Sequence, residues 1–122
     1  MNTKTVKVGI MKLEEYKKRT IAIAKGEYTP SKNEPKIWFE SIKSMAQILS
    51  TENQELLKTI IQNNPNSLKE LENLTGRAKS NLSRTLRTLE RYGIVELNKK
   101  NNALVPIVKA THFQVEFGFE AA

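Results

Sequence analysis

The chain of 122 residues contains no cysteine and no aspartate, and its one histidine is His112. The absence of cysteine excludes structural disulfides, thiolate nucleophiles and cysteine-ligated zinc. With no aspartate and one histidine there is no Ser-His-Asp triad and no histidine cluster to hold a metal. All 13 acidic residues are glutamates, and none pair in a recognisable site. An enzyme would have to be assembled from Glu, Lys, Ser, Tyr and one His, and these do not converge in the sequence. The expectation is therefore no catalytic residue, no metal and no cofactor. Long apolar runs are missing too, so no membrane span is expected. Met1 to Ile10 alternates polar and apolar residues and lacks the apolar core of a signal peptide. A soluble, cytoplasmic protein with no membrane partner is the expectation.

Positive charge is what the chain has in excess. Twenty Lys and Arg face 13 Glu, for a net charge of +7 at neutral pH. Such a balance suits an acidic partner: a nucleic acid, an anionic membrane or an acidic protein. The length fits one compact domain with an appended arm, and 39% hydrophobic residues suffice for a small core. The charge is unevenly spread. Residues 77–100 carry seven basic side chains against two acidic ones, and four of the five arginines lie there: Arg77, Arg84, Arg87 and Arg91. Arginine offers a planar fork that matches phosphates and guanine edges, whereas lysine is closer to a point charge.

Periodicity divides the chain into short elements. Val6 and Val8 mark a strand within Lys4–Gly9. A loose apolar stripe, including Leu13, Tyr16 and Ile23, predicts a helix from Met11 to about Lys25, closed by Gly26. Tyr28–Pro35, with two prolines, reads as a linker. Ile37–Phe39 reads as a short strand, with Trp38 and Phe39 as core residues. Ser41–Leu49 follows as a helix, with Ile42, Met45, Ile48 and Leu49 turned inward. Thr51 and Gln54 fit a capping box for the next helix, whose buried face is Leu56, Leu57, Ile60 and Ile61. Ser67 and Glu70 form a second capping box before a short helix with Leu68, Leu71 and Leu74 in the core. Thr75-Gly76-Arg77 is a tight turn, and a helix runs from Ala78 to Tyr92, ended by Gly93. Ile94–Leu97 and Ala103–Val108 flank a polar turn at Asn98–Asn102, and Phe113, Val115 and Phe117 alternate as a last strand.

The helix after Gly76 carries the functional signal. On a wheel of about 100° per residue with Leu82 at zero, Leu86, Leu89 and Ala78 fall within about 40° of it. Ser80, Arg84, Arg87 and Arg91 fall within about 40° of the opposite pole. Lys79, Asn81 and Ser83 flank this stripe. Most basic stripes are solvated surface, but this one holds no glutamate, so i,i+4 ion pairs do not explain it. Its first half also carries Ser, Asn and Lys, short groups suited to base edges. Lys99 and Lys100, in the following polar turn, are placed to meet phosphate. Short helix, glycine turn, longer basic helix and β-hairpin together read as a winged helix-turn-helix, whose second helix enters the major groove. The fold class expected is α+β, mainly helical: residues 1–35 as a strand-helix arm with linker, a candidate for dimerisation or partner binding, and residues 36–122 as the winged helix-turn-helix DNA-binding domain.

Residues 67–97 resemble the winged-helix core of MarR-like and ArsR-like transcriptional regulators. The resemblance rests on Ser80-Asn81-Leu82-Ser83-Arg84, on the spacing of Leu86 and Leu89, and on Gly93-Ile94-Val95-Glu96 leading into the wing. More widely, the N-terminal strand and helix, Trp38–Ser41 and the closing Phe113–Phe117 strand resemble a family of small winged-helix DNA-binding proteins, some of which are read as antitoxins. The resemblance implies a repressor, or an antitoxin with a cognate toxin as protein partner. The ArsR-like metal site does not carry over. The expected partner is double-stranded DNA, bound by a homodimer. Lys79, Ser80, Asn81, Ser83, Arg84 and Arg87 are expected to face the groove, and Arg77, Arg91, Lys99 and Lys100 to meet phosphates. The rival reading is a protein-interaction module whose basic stripe meets an acidic protein.

Overall fold

The computed structural model describes residues 4–119, and the outermost residues of the two expected segments, 1–3 and 120–122, lie outside the described residues. The architecture is α+β, with five helices and five strands in two separate sheets. β1 (Thr5–Ile10) leads into α1 (Leu13–Ala24), and a loop then reaches β2 (Ile37–Phe39). Four helices' worth of chain is then interrupted only by short turns: α2 (Ile42–Ile48), α3 (Thr51–Asn63), α4 (Leu68–Thr75) and α5 (Lys79–Arg91). The hairpin β3 (Val95–Lys100) and β4 (Ala103–Val108) follows, and β5 (His112–Glu116) closes the order.

Local chemistry fixes the helix ends. Ser41 Oγ accepts from the Ser44 amide, Ser50 Oγ from Asn53 and Ser67 Oγ from Glu70, so each caps the helix it precedes. For α3 the capping residue is thus Ser50 rather than the expected Thr51. The extended backbone that a cap requires belongs to Ser50, and Thr51 is already helical. At α4 the expected pair holds, with Glu70 Oε2 accepting from the amide of Asn66 rather than of Ser67. Asn64 and Gly76 take left-handed backbone conformations that end α3 and α4.

One cluster of buried side chains spans both sheets. α3 supplies Leu56, Leu57 and Ile60, α4 supplies Leu68 and Leu71, and α5 supplies Leu82, Leu86 and Leu89. Val8, Ile37 and Phe39 join from the first sheet, and Ile94 and Val95 from the start of the hairpin. Of the expected core residues, Trp38, Met45, Ile48, Leu49 and Ile61 are only partly buried, and three are exposed. Ile42 and Leu74 are each 44% exposed, because each lies at a helix edge that no other element covers. Ala78 is exposed as well; it precedes the first helical turn of α5 and so does not share the helical phase of Leu82.

The first sheet has the order β2-β1-β5, with both neighbours parallel to β1. β1 is therefore hydrogen-bonded between two strands from the second segment, and its Val8 is fully buried. Across β1 and β2, Gly9 pairs with Trp38, and the Trp38 ring lies directly over it. α1 has no buried residue. It is tied down through Arg19, which donates to Glu34 Oε2 at 2.7 Å and sits 5.1 Å from the centre of the Trp38 ring. The hairpin is tighter than expected: Asn98, Lys99 and Lys100 belong to β3, paired with Val105, Leu104 and Ala103. Only Asn101 and Asn102 form the turn, both at positive φ, the two-residue geometry that asparagine tolerates and that matches strand twist.

Candidate functional site

Leu82, Leu86 and Leu89 are each 0% exposed. They anchor α5 along one side, so its orientation is set by the core and the other side is held rigidly outward. Lys79, Ser80, Asn81, Arg84, Arg87 and Arg91 are all exposed and Ser83 is partly buried. The stripe expected from helical spacing is present as one continuous face. α5 starts without a side-chain cap of its own. Instead Glu72 of α4 reaches across, accepting from the amide of Lys79 at 3.2 Å. A carboxylate at a helix N-terminus also suits the helix dipole.

The electrostatics of this face are unusual in one respect. The ion pairs among the described residues are Lys7–Glu116, Arg19–Glu34 and Lys109–Glu96, and none involves α5. The cations of Lys79, Arg84, Arg87 and Arg91 are thus uncompensated by any carboxylate within bonding reach. Arg19, the one arginine outside the cluster, is the opposite case: it is paired to Glu34 and its charge faces the Trp38 and Tyr28 rings.

Not all ten expected residues converge. Arg77 is folded back along α5: its Nε donates to Asn81 Oδ1 at 2.8 Å and its Nη2 to Thr85 Oγ1 at 3.2 Å. It borders a recess that also contains Glu52 and Glu55 of α3, so Arg77 and Asn81 sit where the basic face meets an acidic one. Arg91 stands at the far end of α5, about 18 Å along the axis from Lys79 by the helical rise. It lines a separate depression with Trp38 and Tyr92. Lys79 and the hairpin tip do come together. Lys79, Ser67, Lys69, Asn102 and Leu104 line one recess of about 310 Å³ between α4, α5 and the hairpin. Lys99 and Lys100 are exposed on β3 just before that tip.

Lys69 is a basic residue of this recess that the sequence reading left out. It lies in the first turn of α4, two residues after the cap Ser67, and follows the buried Leu68. That phase turns it outward, toward the start of α5. The pattern was present in the sequence, but the neighbourhood with Asn102 depends on how the hairpin folds back.

Among the described residues no group of three His, Cys, Asp or Glu is placed to hold a metal ion. No helix is long and apolar enough to cross a membrane. Residues 48–115 match the HVO_A0114 family, a span of more than half the chain, and the chain belongs to that family. The match begins at the end of α2 and takes in α3, α4, α5, the hairpin and most of β5. No curated protein and no solved structure matches the chain.

Proposed function

We propose that this member of the HVO_A0114 family is a sequence-specific, double-stranded DNA-binding transcriptional regulator, acting as a repressor through a winged helix-turn-helix. In this reading α4 and α5 are the two helices of the motif, with Gly76 in the turn between them, and β3–β4 is the wing. α5 enters the major groove. The observation that carries the reading is the outward face of α5: four cations with no carboxylate partner among the described residues, on a helix whose other side is locked into the core by three leucines. Holding unpaired like charges side by side is unfavourable for the free protein. A polyanion relieves it, with release of condensed counterions.

The roles divide along the helix. Lys79, Ser80, Ser83, Arg84 and Arg87 cover the part of α5 nearest the groove floor, where arginine can grip guanine O6 and N7 and short polar groups can reach other base edges. Lys69, in the recess shared by α4 and the hairpin tip, and Lys99 and Lys100, exposed at the end of β3, meet the sugar-phosphate backbone. Arg91 meets it at the other end. Arg77 and Asn81 act as a pair that holds the start of α5.

The test is fluorescence anisotropy at physiological salt, with the duplex upstream of the protein's own gene beside a scrambled duplex. Preference for the native duplex by a factor of ~10³ or more is expected of a specific regulator. Equal, salt-sensitive affinity for both would reduce the face to a backbone binder. No affinity for either would turn the reading to an acidic protein partner.

A further inference from the structure

We propose that β5 is a self-association edge, through which two copies of this chain join antiparallel about a two-fold axis at Val115. Among the described residues, no strand pairs with the outer side of β5. The strand and its continuation alternate Phe113, Val115, Phe117 and Phe119, of which the last three are 44%, 57% and 91% exposed. Free edges of this kind are ordinarily blunted by lysine, proline or a bulge. Residues 112–119 contain no lysine, no arginine and no proline, in a chain of net charge +7. β5 itself, His112–Glu116, carries no lysine or arginine, so two copies can meet there without opposed lysine or arginine side chains on the paired strands.

The sequence of the strand selects the partner and the register. With Val115 on the axis, Val115 faces the partner subunit's Val115 and Phe113 faces the partner subunit's Phe117, all on one side of the sheet. Gln114 faces the partner subunit's Glu116 on the other side, an amide donor opposite a carboxylate. Moving the axis by one residue to Glu116 would set two carboxylates against each other, which is unfavourable for directly opposed strand positions. The Val115 register is self-complementary, as a two-fold interface requires.

The helical layer completes the fit. It covers Val8 on β1 fully, yet it leaves the neighbouring Val115 exposed. Beside Phe113 it opens a cleft of about 580 Å³ lined by Leu49, Leu57 and Ile61. A phenylalanine opposite Phe113 lies at the mouth of this cleft, so the partner subunit's Phe117 has an apolar seat. Pairing of the two edges would give one six-stranded sheet. This assembly does not depend on nucleic-acid binding.

The cysteine-free sequence makes a direct test possible. Sedimentation equilibrium of the full chain over a wide concentration range is expected to show a monomer–dimer equilibrium. Val115→Lys places two ammonium groups on the axis and is expected to give a monomer with an unchanged circular-dichroism spectrum. Val115→Cys, a near-isosteric change, is expected to form a disulfide dimer on mild oxidation. Gln114→Cys is expected not to, since its two copies lie beyond the ~7 Å Cα limit for a bridge. A wild-type chain that stays monomeric throughout would overturn the proposal. So would a dimer in which Val115→Cys fails to cross-link, whatever the behaviour of Val115→Lys.

Discussion

A methyl group on Gly9 would stand 2.5 Å from Cζ3 of Trp38 and 2.9 Å from Cγ of Pro35. The backbone there is ordinary strand, so it is the neighbour rather than the conformation that demands glycine. In open space Gly→Ala would gain up to about 1 kcal/mol from the unfolded chain. Here the indole must shift, and with it the Arg19 guanidinium that lies over it. Gly9→Ala is expected to cost about 1–3 kcal/mol, read as a lower urea midpoint with an unchanged slope. Arg84 is the contrasting residue. It is exposed and touches no carboxylate, so Arg84→Ala should leave stability within about 0.5 kcal/mol. On the native duplex the same change should cost about 1–3 kcal/mol, with little loss on a scrambled one. An equal loss on both would make Arg84 a phosphate contact. Of these two residues only Arg84 was legible from spacing. Nothing local to Gly9 announces that a tryptophan almost thirty positions away will cover it.

The short helix α4 has two buried leucines and depends on its start. Ser67 Oγ accepts from the Glu70 amide at 3.0 Å, and Glu70 returns a bond to the Asn66 amide. Ser67→Ala removes the first bond and is expected to cost about 1 kcal/mol, with faster hydrogen exchange at the Glu70 amide as its local sign. Unaltered exchange there would mean that α4 is held by Leu68 and Leu71 alone. Elements of this kind are readable because their signals are local: a cap, a periodic leucine face, a glycine or asparagine stop. α3, α4, α5 and both hairpin strands follow from such signals to within a few residues. The misreadings have a common cause. Leu74 and Ile42 carry the correct helical phase, but whether a phase is covered depends on which other element passes over it. The hairpin turn was read as five residues because Asn98, Lys99 and Lys100 are polar; cross-strand pairing with Val105, Leu104 and Ala103 keeps them in β3. The parallel pairing of β5 with β1 joins residues more than a hundred positions apart, and short strands hold no record of it.

For the whole molecule the question is whether net charge or its placement governs binding. Arg19→Gln and Lys100→Gln each remove one positive charge from a chain of +7. If the chain binds DNA as a diffuse polycation, the two should be interchangeable. The structure separates them. Lys100 is exposed beside the hairpin tip, whereas the Arg19 side chain is 17% exposed and already paired to Glu34. A bound phosphate releases counterions only where a cation is free to meet it. Lys100→Gln is therefore expected to reduce the slope of log K against log salt by about 0.9 per protomer, with stability unchanged. Arg19→Gln should leave that slope as it is. It should instead lower stability by about 1–3 kcal/mol, through the charged hydrogen bond to Glu34 and the lost contacts with the Trp38 and Tyr28 rings. Anisotropy titrations at several salt concentrations, beside urea denaturation of the same samples, separate the two effects. Equal slopes for the two variants, both below wild type, would mean that DNA responds to total charge, and the face built by α5 and the hairpin would lose its claim to be the binding surface.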